Sequence, residues 1–419
     1  MKKTLFSLSA AIGALALLVS APASHAASAA GSAAKSYFLY VGSFTRVTGK
    51  GIYGYRYTPA TGEFVSQGLI QQAINPGWIS ETPDHRFLYS ANDGPKSDGP
   101  GGGFNITAYA RDATTGALTV LNTVPSGGDG PVQMAVAKTG KVLVVANFGS
   151  AGVPPTVVSF PILPDGKLGD PVSNLAEAGV ADGPPVQRDA NGLSPTDTHD
   201  HCIMRSPDSR FVLASNLGLS RIYVYRVNPV TGLMVLNGEP FKVPGQSGGR
   251  SRPHHLTFSA DGRFVYILDG DMGIVTAAYD AVHGTLKAIQ TLPVIATNPP
   301  GSTMSGSEII ADRTDRYVYV SARAVDKTLK STQQNGTINV FAVNPTTGKL
   351  RPVQQVSSGG IAPRTIILDP TGTRLLVANQ LSGAVAVLSV DRNTGKLSPT
   401  GKDLKDVPEP CDFLFEAER

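Results

Sequence analysis

Short apolar runs recur along the chain, and each is bounded by glycine, proline, asparagine or aspartate. Seven times such a run comes to a turn in which glycine is followed by any residue and then by an apolar one. Successive turns lie between 47 and 66 residues apart, at Gly62, Gly116, Gly166, Gly232, Gly284, Gly348 and Gly395. A period of this size indicates a repeat fold with about four short strands in each unit.

Two further landmarks divide each unit. A polar turn comes before a β-rich run, as in "TPDHRFLYSAN" and "SPDSRFVLASN", and a short run entered near proline comes earlier, as in "NPGWIS" and "RPHHLTF". Each unit is therefore predicted to hold four strands, A to D, with the glycine turn between C and D. This order is typical of a β-propeller blade. We predict an all-β fold with seven four-stranded antiparallel blades.

The two ends of the repeat complete each other. The first predicted strand, "YFLYVGSF", is a B strand without an A strand before it, and "PEPCDFLF" near the other end is an A strand with nothing after it. Together they make one blade. We therefore predict that N- and C-terminal strands share a blade and close the ring, which leaves no unpaired inner edge.

The N-terminal residues have the pattern of a secretory signal. Lys2 and Lys3 precede an apolar run, and small residues at Ser24 and Ala26 suit cleavage. We predict a signal peptide over 1–26, a flexible linker over 27–36 and the propeller over 37–419. The mature protein is expected to be periplasmic or secreted; the alternative is an uncleaved membrane anchor, for which the run is short.

The composition limits the classes of binding partner that we expect. Charged residues make up 16% of the chain and the formal net charge is +4, of which the signal contributes two. A nearly neutral mature chain gives no reason to expect nucleic acid or a membrane surface as partner, and a monomer is expected. Cys202 and Cys411 are predicted on inner strands of non-neighbouring blades, too far apart for a disulfide.

Polar residues gather where A strands begin and B strands end, which is the same rim because neighbouring strands are antiparallel. The long predicted loops lie there too, and such loops commonly carry function. The candidates expected to converge around the channel mouth are His199, His201, Arg252, His254, His255, Asp269, Glu308, Arg323 and Arg364. Asp197, His199 and His201 are plausible metal ligands, but nearby arginines would oppose a cation, so we predict no metal and no cofactor.

The ordered set of these motifs resembles the lactonase family of seven-bladed propellers. The family includes propeller-type 6-phosphogluconolactonases and fungal carboxymuconate-lactonising enzymes. The resemblance runs from "YVGSFT" to "APRTIILDPTGTRLLVANQLSGAVAVLSVDRNTGKL" and is seen again in "DTHDHCIMRSPDSRFVLASN" and "SEIIADRTDRYVYVSAR". It implies a small-molecule lactone as the partner.

The resemblance also implies site residues. His199, His201, Glu308 and Arg323 match positions that we expect to be catalytic. Arg188 and Arg364 match the family's arginines, and they join the expected substrate-binding group of Arg252, His254, His255 and Asp269. Two positions depart from the family pattern: His254 stands where an arginine is usual, and Gly270 where an acidic residue is usual.

Lactone hydrolysis requires an activated water and a positive group for the developing oxyanion. A histidine, His199 or His201, is the expected base, with Glu308 as its orienting group or as an alternative base. Arg323 and Arg252 are expected to hold the oxyanion or a substrate carboxylate. Because the chain carries a signal, an unphosphorylated sugar or organic-acid lactone is favoured. Two alternatives stay open: an exported binding propeller without catalysis, and a muconate-lactonising enzyme.

Overall fold

Runs rich in valine, leucine and tyrosine form seven antiparallel sheets, because β-branched and aromatic side chains suit a pleated, buried surface. The computed structural model describes residues 36–94, 103–150, 153–177, 198–245, 250–270, 272–294, 301–326, 330–405 and 407–418. The predicted signal peptide lies outside this part of the chain. Within it, no helix has the length and apolar character needed to cross a membrane.

The sheets are the predicted blades, numbered here in chain order. Blade 1 holds β1 (Tyr37–Ser43), β2 (Gly51–Thr58), β3 (Glu63–Gln72) and β29 (Pro410–Ala417). Blade 2 holds β4 (Pro76–Glu81), β5 (Phe87–Asn92), β6 (Asn105–Arg111) and β7 (Leu118–Pro125). Blade 3 holds β8 (Pro131–Val136), β9 (Val142–Asn147), β10 (Thr156–Pro161) and β11 (Ser173–Ala176). Blade 4 holds β12 (Asp200–Arg205), β13 (Phe211–Asn216), β14 (Arg221–Val227), β15 (Met234–Leu236) and β16 (Phe241–Lys242).

The remaining blades follow the same order. Blade 5 holds β17 (Pro253–Phe258), β18 (Phe264–Asp269), β19 (Gly273–Asp280) and β20 (Thr285–Pro293). Blade 6 holds β21 (Thr303–Ala311), β22 (Tyr317–Val325), β23 (Asn335–Val343) and β24 (Leu350–Ile361). Blade 7 holds β25 (Pro363–Leu368), β26 (Arg374–Asn379), β27 (Ala384–Val390) and β28 (Leu397–Pro399), with a short 3-10 turn at Gln380–Ser382.

Ring closure is confirmed. β1 pairs antiparallel with β29, and Tyr37 lies opposite Ala417. Each inner strand contacts the inner strand of the next blade, and β29 contacts β4, so the series returns to its start. One blade departs from four continuous strands: in blade 4 the outer strand is split into β15 and β16, which both pair with β14. Pro240, between them, lacks the amide hydrogen that a continuous ladder needs.

The hydrophobic core lies between blades. Each of the seven interfaces between neighbouring blades holds a cluster of buried apolar side chains. At the interface of blades 2 and 3, for example, Tyr89 and Ile106 pack with Val145 and Phe160. Each sheet is thus covered on both faces by its neighbours, and the inner ends of the blades are fixed around a central channel. Both cysteines are buried and unpaired, on inner strands β12 and β29.

Candidate functional site

A β-bulge occurs at the same place in every inner strand, just after its first residues. The residues left without a direct partner on the neighbouring strand are Gly77, Val132, His201, His254, Ser307, Cys411 and, in β25, Arg364 with Thr365. A bulge redirects a side chain that the regular pleat would send to the other face. Consecutive residues, such as His254 and His255, can therefore both point toward the channel.

Bulged positions of six inner strands, with Trp78, His255 and Arg323 of β22, line one pocket at the channel mouth, called here the channel pocket. Its lining residues are Gly77, Trp78, Val132, His201, His254, His255, Ser307, Arg323, Arg364 and Thr365. They come from six of the seven blades. The space that they enclose is about 20 Å³, room for roughly one water molecule.

Three imidazoles crowd one side of the channel pocket. The ring centre of His201 lies 3.6 Å from that of His254 and 4.9 Å from that of His255. His254 Nδ1 donates to the carbonyl oxygen of Ser307 at 3.1 Å, so its Nε2 is left as an acceptor. Burial lowers the pKa of His201 and of His254 well below the usual histidine range. Both rings are therefore neutral at pH 7.

His255 differs from its neighbours because it has a carboxylate partner. Its Nδ1 lies 3.0 Å from Glu308 Oε1, and both side chains are more than nine-tenths buried. Glu308 Oε1 also accepts from the Ile309 amide at 2.9 Å, which fixes the carboxylate. The two atoms are close enough for an ion pair, although the ring N–H is not aligned for a hydrogen bond. The negative charge of Glu308 favours the proton on Nδ1, which leaves Nε2 of His255 as an acceptor.

The channel pocket is electropositive. Arg323 and Arg364 line it, and their charges, with that of Arg252, contribute to the lowered pKa of His201. Burial, followed by the nearby charges of Arg364 and Arg252, lowers the pKa of Arg323 to about 10, so it stays charged at pH 7. Arg323 Nε is buried and has no hydrogen-bond partner among the described residues. A buried cation of this kind is suited to an anionic group of a ligand.

His201, His254 and His255 each have a ring nitrogen within 4.8 Å of the other two, which is close enough for the three to share a metal ion. Two observations weigh against a cation. The charges of three arginines act on His201. The rings of His201 and His254 overlap at 3.6 Å with an interplanar angle of 33°, whereas rings sharing a metal at about 2 Å from each nitrogen need wider separation. The donor set therefore favours an anion over a metal ion.

Of the ten predicted site residues, the channel pocket is lined by five: His201, His254, His255, Arg323 and Arg364. Glu308 and Arg252 do not line it, but Glu308 lies against His255 and the charge of Arg252 acts on His201.

The other three predicted site residues are His199, Asp269 and Arg188. His199 stacks on Phe148 with ring centres 4.4 Å apart, and its Nδ1 donates to the Phe148 carbonyl oxygen at 3.3 Å. Asp269 accepts from the amide of Arg252 at 2.9 Å, at the start of β17. Neither His199 nor Asp269 lines the channel pocket. Arg188 lies outside the described residues.

Sequence reasoning missed the other half of the lining. Trp78, Val132 and Thr365 were not among the candidates, although each occupies one of the two positions that follow proline in "NPGW", "GPVQ" and "APRT". Aligning the repeats at that proline would have selected them. Only the bulge explains why both positions face inward.

Comparisons with known proteins agree with this architecture. The family described as "Lactonase, 7-bladed beta-propeller" matches residues 38–415. The chain is 28% identical over 345 residues to a 6-phosphogluconolactonase of Bacillus subtilis, covering 82% of this chain and 88% of that protein. It is 25% identical over 350 residues to a 6-phosphogluconolactonase of Formosa agariphila, covering 82% of this chain and 90% of that one.

Among solved structures, a periplasmic gluconolactonase of Pseudomonas aeruginosa is similar over 92% of this chain and 100% of its own. The TM-score is 0.78 and the sequence identity is 27%. The similarity therefore extends over nearly all of this chain and the whole of that one.

Proposed function

Because the chain belongs to the family of seven-bladed β-propeller lactonases, we propose that it hydrolyses a lactone ring at the channel pocket. One observation supports this above others: His255, with the buried Glu308 carboxylate beside it, lines the same pocket as a charged Arg323, whose Nε has no hydrogen-bond partner among the described residues. A base and an oxyanion-stabilising cation are the two elements that ester hydrolysis requires.

His255 is the base in this proposal. A water molecule held near Nε2 gives a proton to the imidazole of His255. At the same time the water oxygen attacks the carbonyl carbon of the lactone. The carboxylate of Glu308, 3.0 Å from Nδ1, stabilises the imidazolium that forms, as a carboxylate does for histidine in other hydrolases. The sequence predicts His199 or His201 as the base. His199 does not line the channel pocket, and His201 is a weaker choice because burial and neighbouring charges hold its pKa low.

The remaining steps use the same groups. Attack on the carbonyl gives a tetrahedral oxyanion, which the guanidinium of Arg323 stabilises. When the ring C–O bond breaks, the ring oxygen takes the proton back from Nε2 of His255. The product is a hydroxy acid, and the base and Arg323 return to their starting states.

The substrate that we favour is an unphosphorylated sugar lactone. From the predicted signal peptide over 1–26 we expect the mature protein outside the cytoplasm, where phosphorylated sugar lactones are not expected. The similar Pseudomonas aeruginosa protein is described as periplasmic and as a gluconolactonase, which agrees with both parts of the proposal.

Proton release on ring opening tests the activity directly. The mature protein would be assayed with glucono-1,5-lactone, its 6-phosphate and a muconolactone, with spontaneous hydrolysis subtracted. Glu308→Gln removes the charge next to His255 without changing volume, and we expect kcat to fall at least about 100-fold because general base catalysis contributes about 10²–10⁴-fold. Glu63→Gln, at an exposed position of β3, is the matched control and should not change kcat.

Each outcome separates the candidate functions. The proposal is supported if the wild-type protein turns over a lactone, Glu308→Gln lowers kcat and Glu63→Gln leaves kcat unchanged. Turnover unaffected by Glu308→Gln would contradict the assigned base. No turnover on any lactone by the folded protein would favour the binding propeller, and activity confined to lactone formation from muconate would favour the lactonising enzyme.

A further inference from the structure

The channel pocket has an apolar side and a polar side. Gly77, Trp78 and Val132, from blades 2 and 3, form the apolar side. The histidines, arginines, Ser307 and Thr365 come from blades 4 to 7 and form the polar side. A ligand complementary to this pocket has one apolar face, which contacts the apolar side, and hydroxyl or charged groups that contact the polar side.

Trp78 dominates the apolar side. It is the only tryptophan of the chain, and it packs against the buried cluster between blades 2 and 3 while remaining partly exposed toward the pocket. Its ring centre lies 6.3 Å from that of His255, with an interplanar angle of 43°. Two other aromatic rings among the described residues are covered by neighbouring side chains: Phe148 is stacked on His199, and Phe44 has the guanidinium of Arg364 above it at 4.8 Å.

We propose that Trp78 is the specificity-determining surface of this pocket, on which the C–H face of a sugar lactone ring stacks. The proposal rests on the lactonase function proposed above. The face of an indole carries partial negative charge and attracts polarised C–H groups. A ring lying on Trp78 turns its hydroxyl groups toward Ser307 and Thr365, and it brings its carbonyl carbon toward His255.

The small enclosed space agrees with this placement. With about 20 Å³ between the lining side chains, the pocket accommodates the attacking water but not a whole sugar ring. The ring therefore lies across the mouth, where a flat aromatic surface at its side fixes its height and tilt. Trp78 is thus a binding surface that sets which lactones are accepted, and it takes no part in proton transfer.

The test combines kinetics with binding. Trp78→Leu keeps an apolar residue but removes the aromatic face, and Trp78→Phe keeps a smaller face. For glucono-1,5-lactone we expect Trp78→Leu to raise KM about 5–15-fold, the equivalent of about 1–1.5 kcal/mol of stacking, with kcat within about twofold. Trp78→Phe should raise KM less than about threefold. Phe241→Leu, on the outer strand β16, is the control for loss of an aromatic residue elsewhere.

Binding is measured independently of hydrolysis with glucono-1,5-lactam, a ring analogue whose amide resists hydrolysis. Because Trp78 is the only tryptophan, its fluorescence in the wild-type protein reports contact directly and needs no variant to fold. A saturable fluorescence shift on adding the lactam, with calorimetric Kd weakened in Trp78→Leu, supports the stacking. No shift and no change in KM would overturn it.

The failures of the two proposals are distinguishable. A fluorescence shift without turnover of any lactone keeps the ring-binding surface and overturns hydrolysis. Turnover with the same KM in wild type and Trp78→Leu keeps hydrolysis and overturns the surface.

Discussion

Asp412 is a buried carboxyl group of the inner ring, on the closing strand β29. The residue is 2% exposed, and its Oδ2 accepts from the Ile79 amide of the next blade at 2.6 Å. Burial raises the pKa of Asp412 to about 8, partly offset by backbone hydrogen bonds. The negative charge of Glu308 raises this pKa further, and Arg364 lowers it. The folded protein therefore holds this proton at pH 7, and the unfolded chain does not.

This proton makes stability depend on pH. At Asp412 the folded state binds more protons than the unfolded state between about pH 4 and pH 8, so this group's contribution to the free energy of unfolding falls as pH rises. Asp412→Asn keeps an oxygen for the Ile79 amide and removes the titration. We expect the free energy of unfolding of the variant, relative to that of wild type, to rise by up to about 3 kcal/mol from pH 5 to pH 7. The slope is about 1.4 kcal/mol per pH unit.

Urea unfolding of both proteins at pH 5, 6 and 7 measures this difference. Other buried carboxyl groups titrate in both proteins and cancel in the comparison. Asp165→Asn, at an exposed position, is the control and should keep the same offset from wild type at all three pH values. Parallel pH profiles of wild type and Asp412→Asn would show that Asp412 is ionised in the folded protein.

Individual site residues were only partly predictable. His201, His254, His255, Arg323 and Arg364 were chosen because they stand at A-strand starts or B-strand ends, and they line the pocket. His199 was chosen by the same rule, but it lies before the bulge and turns to Phe148. The pairing of His255 with Glu308 joins two blades, and no pattern within one strand predicts a contact between two.

At the scale of elements, the repeated glycine turns are explained by packing between blades. All seven glycines have positive φ, which disfavours any other residue. At Gly348 an added Cβ would lie 2.4 Å from the ring of Phe264 in the preceding blade. At Gly232 the nearest atom, Ser159 Oγ, would be 3.5 Å away. The same turn thus carries a steric restriction in one blade that is absent in another.

Gly348→Ala and Gly232→Ala separate backbone conformation from packing. Both place alanine at positive φ, which costs about 1–2 kcal/mol. Gly348→Ala must also displace the Phe264 ring, and overpacking of this kind costs a further 1–3 kcal/mol or so. We therefore expect Gly348→Ala to lose about 1–3 kcal/mol more than Gly232→Ala in urea unfolding. Equal losses would mean that the ring of Phe264 moves aside without penalty.

At the scale of the molecule, the ring depends on β29. This strand pairs with β1 along its length and contributes Phe413 to the cluster between blades 7 and 1. Without it, β1 would present an unpaired inner edge, and Leu39 and Val41 would lose their cover. Because every blade is covered by its neighbours, an opening at one interface exposes two sheets.

Removal of residues 410–419 tests this closure. We expect the melting temperature to fall by more than about 10 °C, since the loss includes several buried side chains at about 1.5–3 kcal/mol each. A synthetic peptide of residues 408–419 should restore much of the loss by pairing with β1. Removal of Arg419 alone is the control. An unchanged melting temperature after the larger deletion would show that six inner strands hold the ring.

The sequence by itself determined the repeat: the number of blades, the order of strands within each blade and the shared blade that closes the ring. These properties follow from local patterns, since strand periodicity, turn glycines and the incomplete units at the two ends are all read within short segments. Only the tertiary structure decided the composition of the channel pocket. Which side chains meet there depends on a bulge in every inner strand and on distances across the ring, such as those joining Trp78, His255 and Glu308. No pattern within one segment of the chain predicts those distances, because they are set by the packing of seven blades into a closed ring.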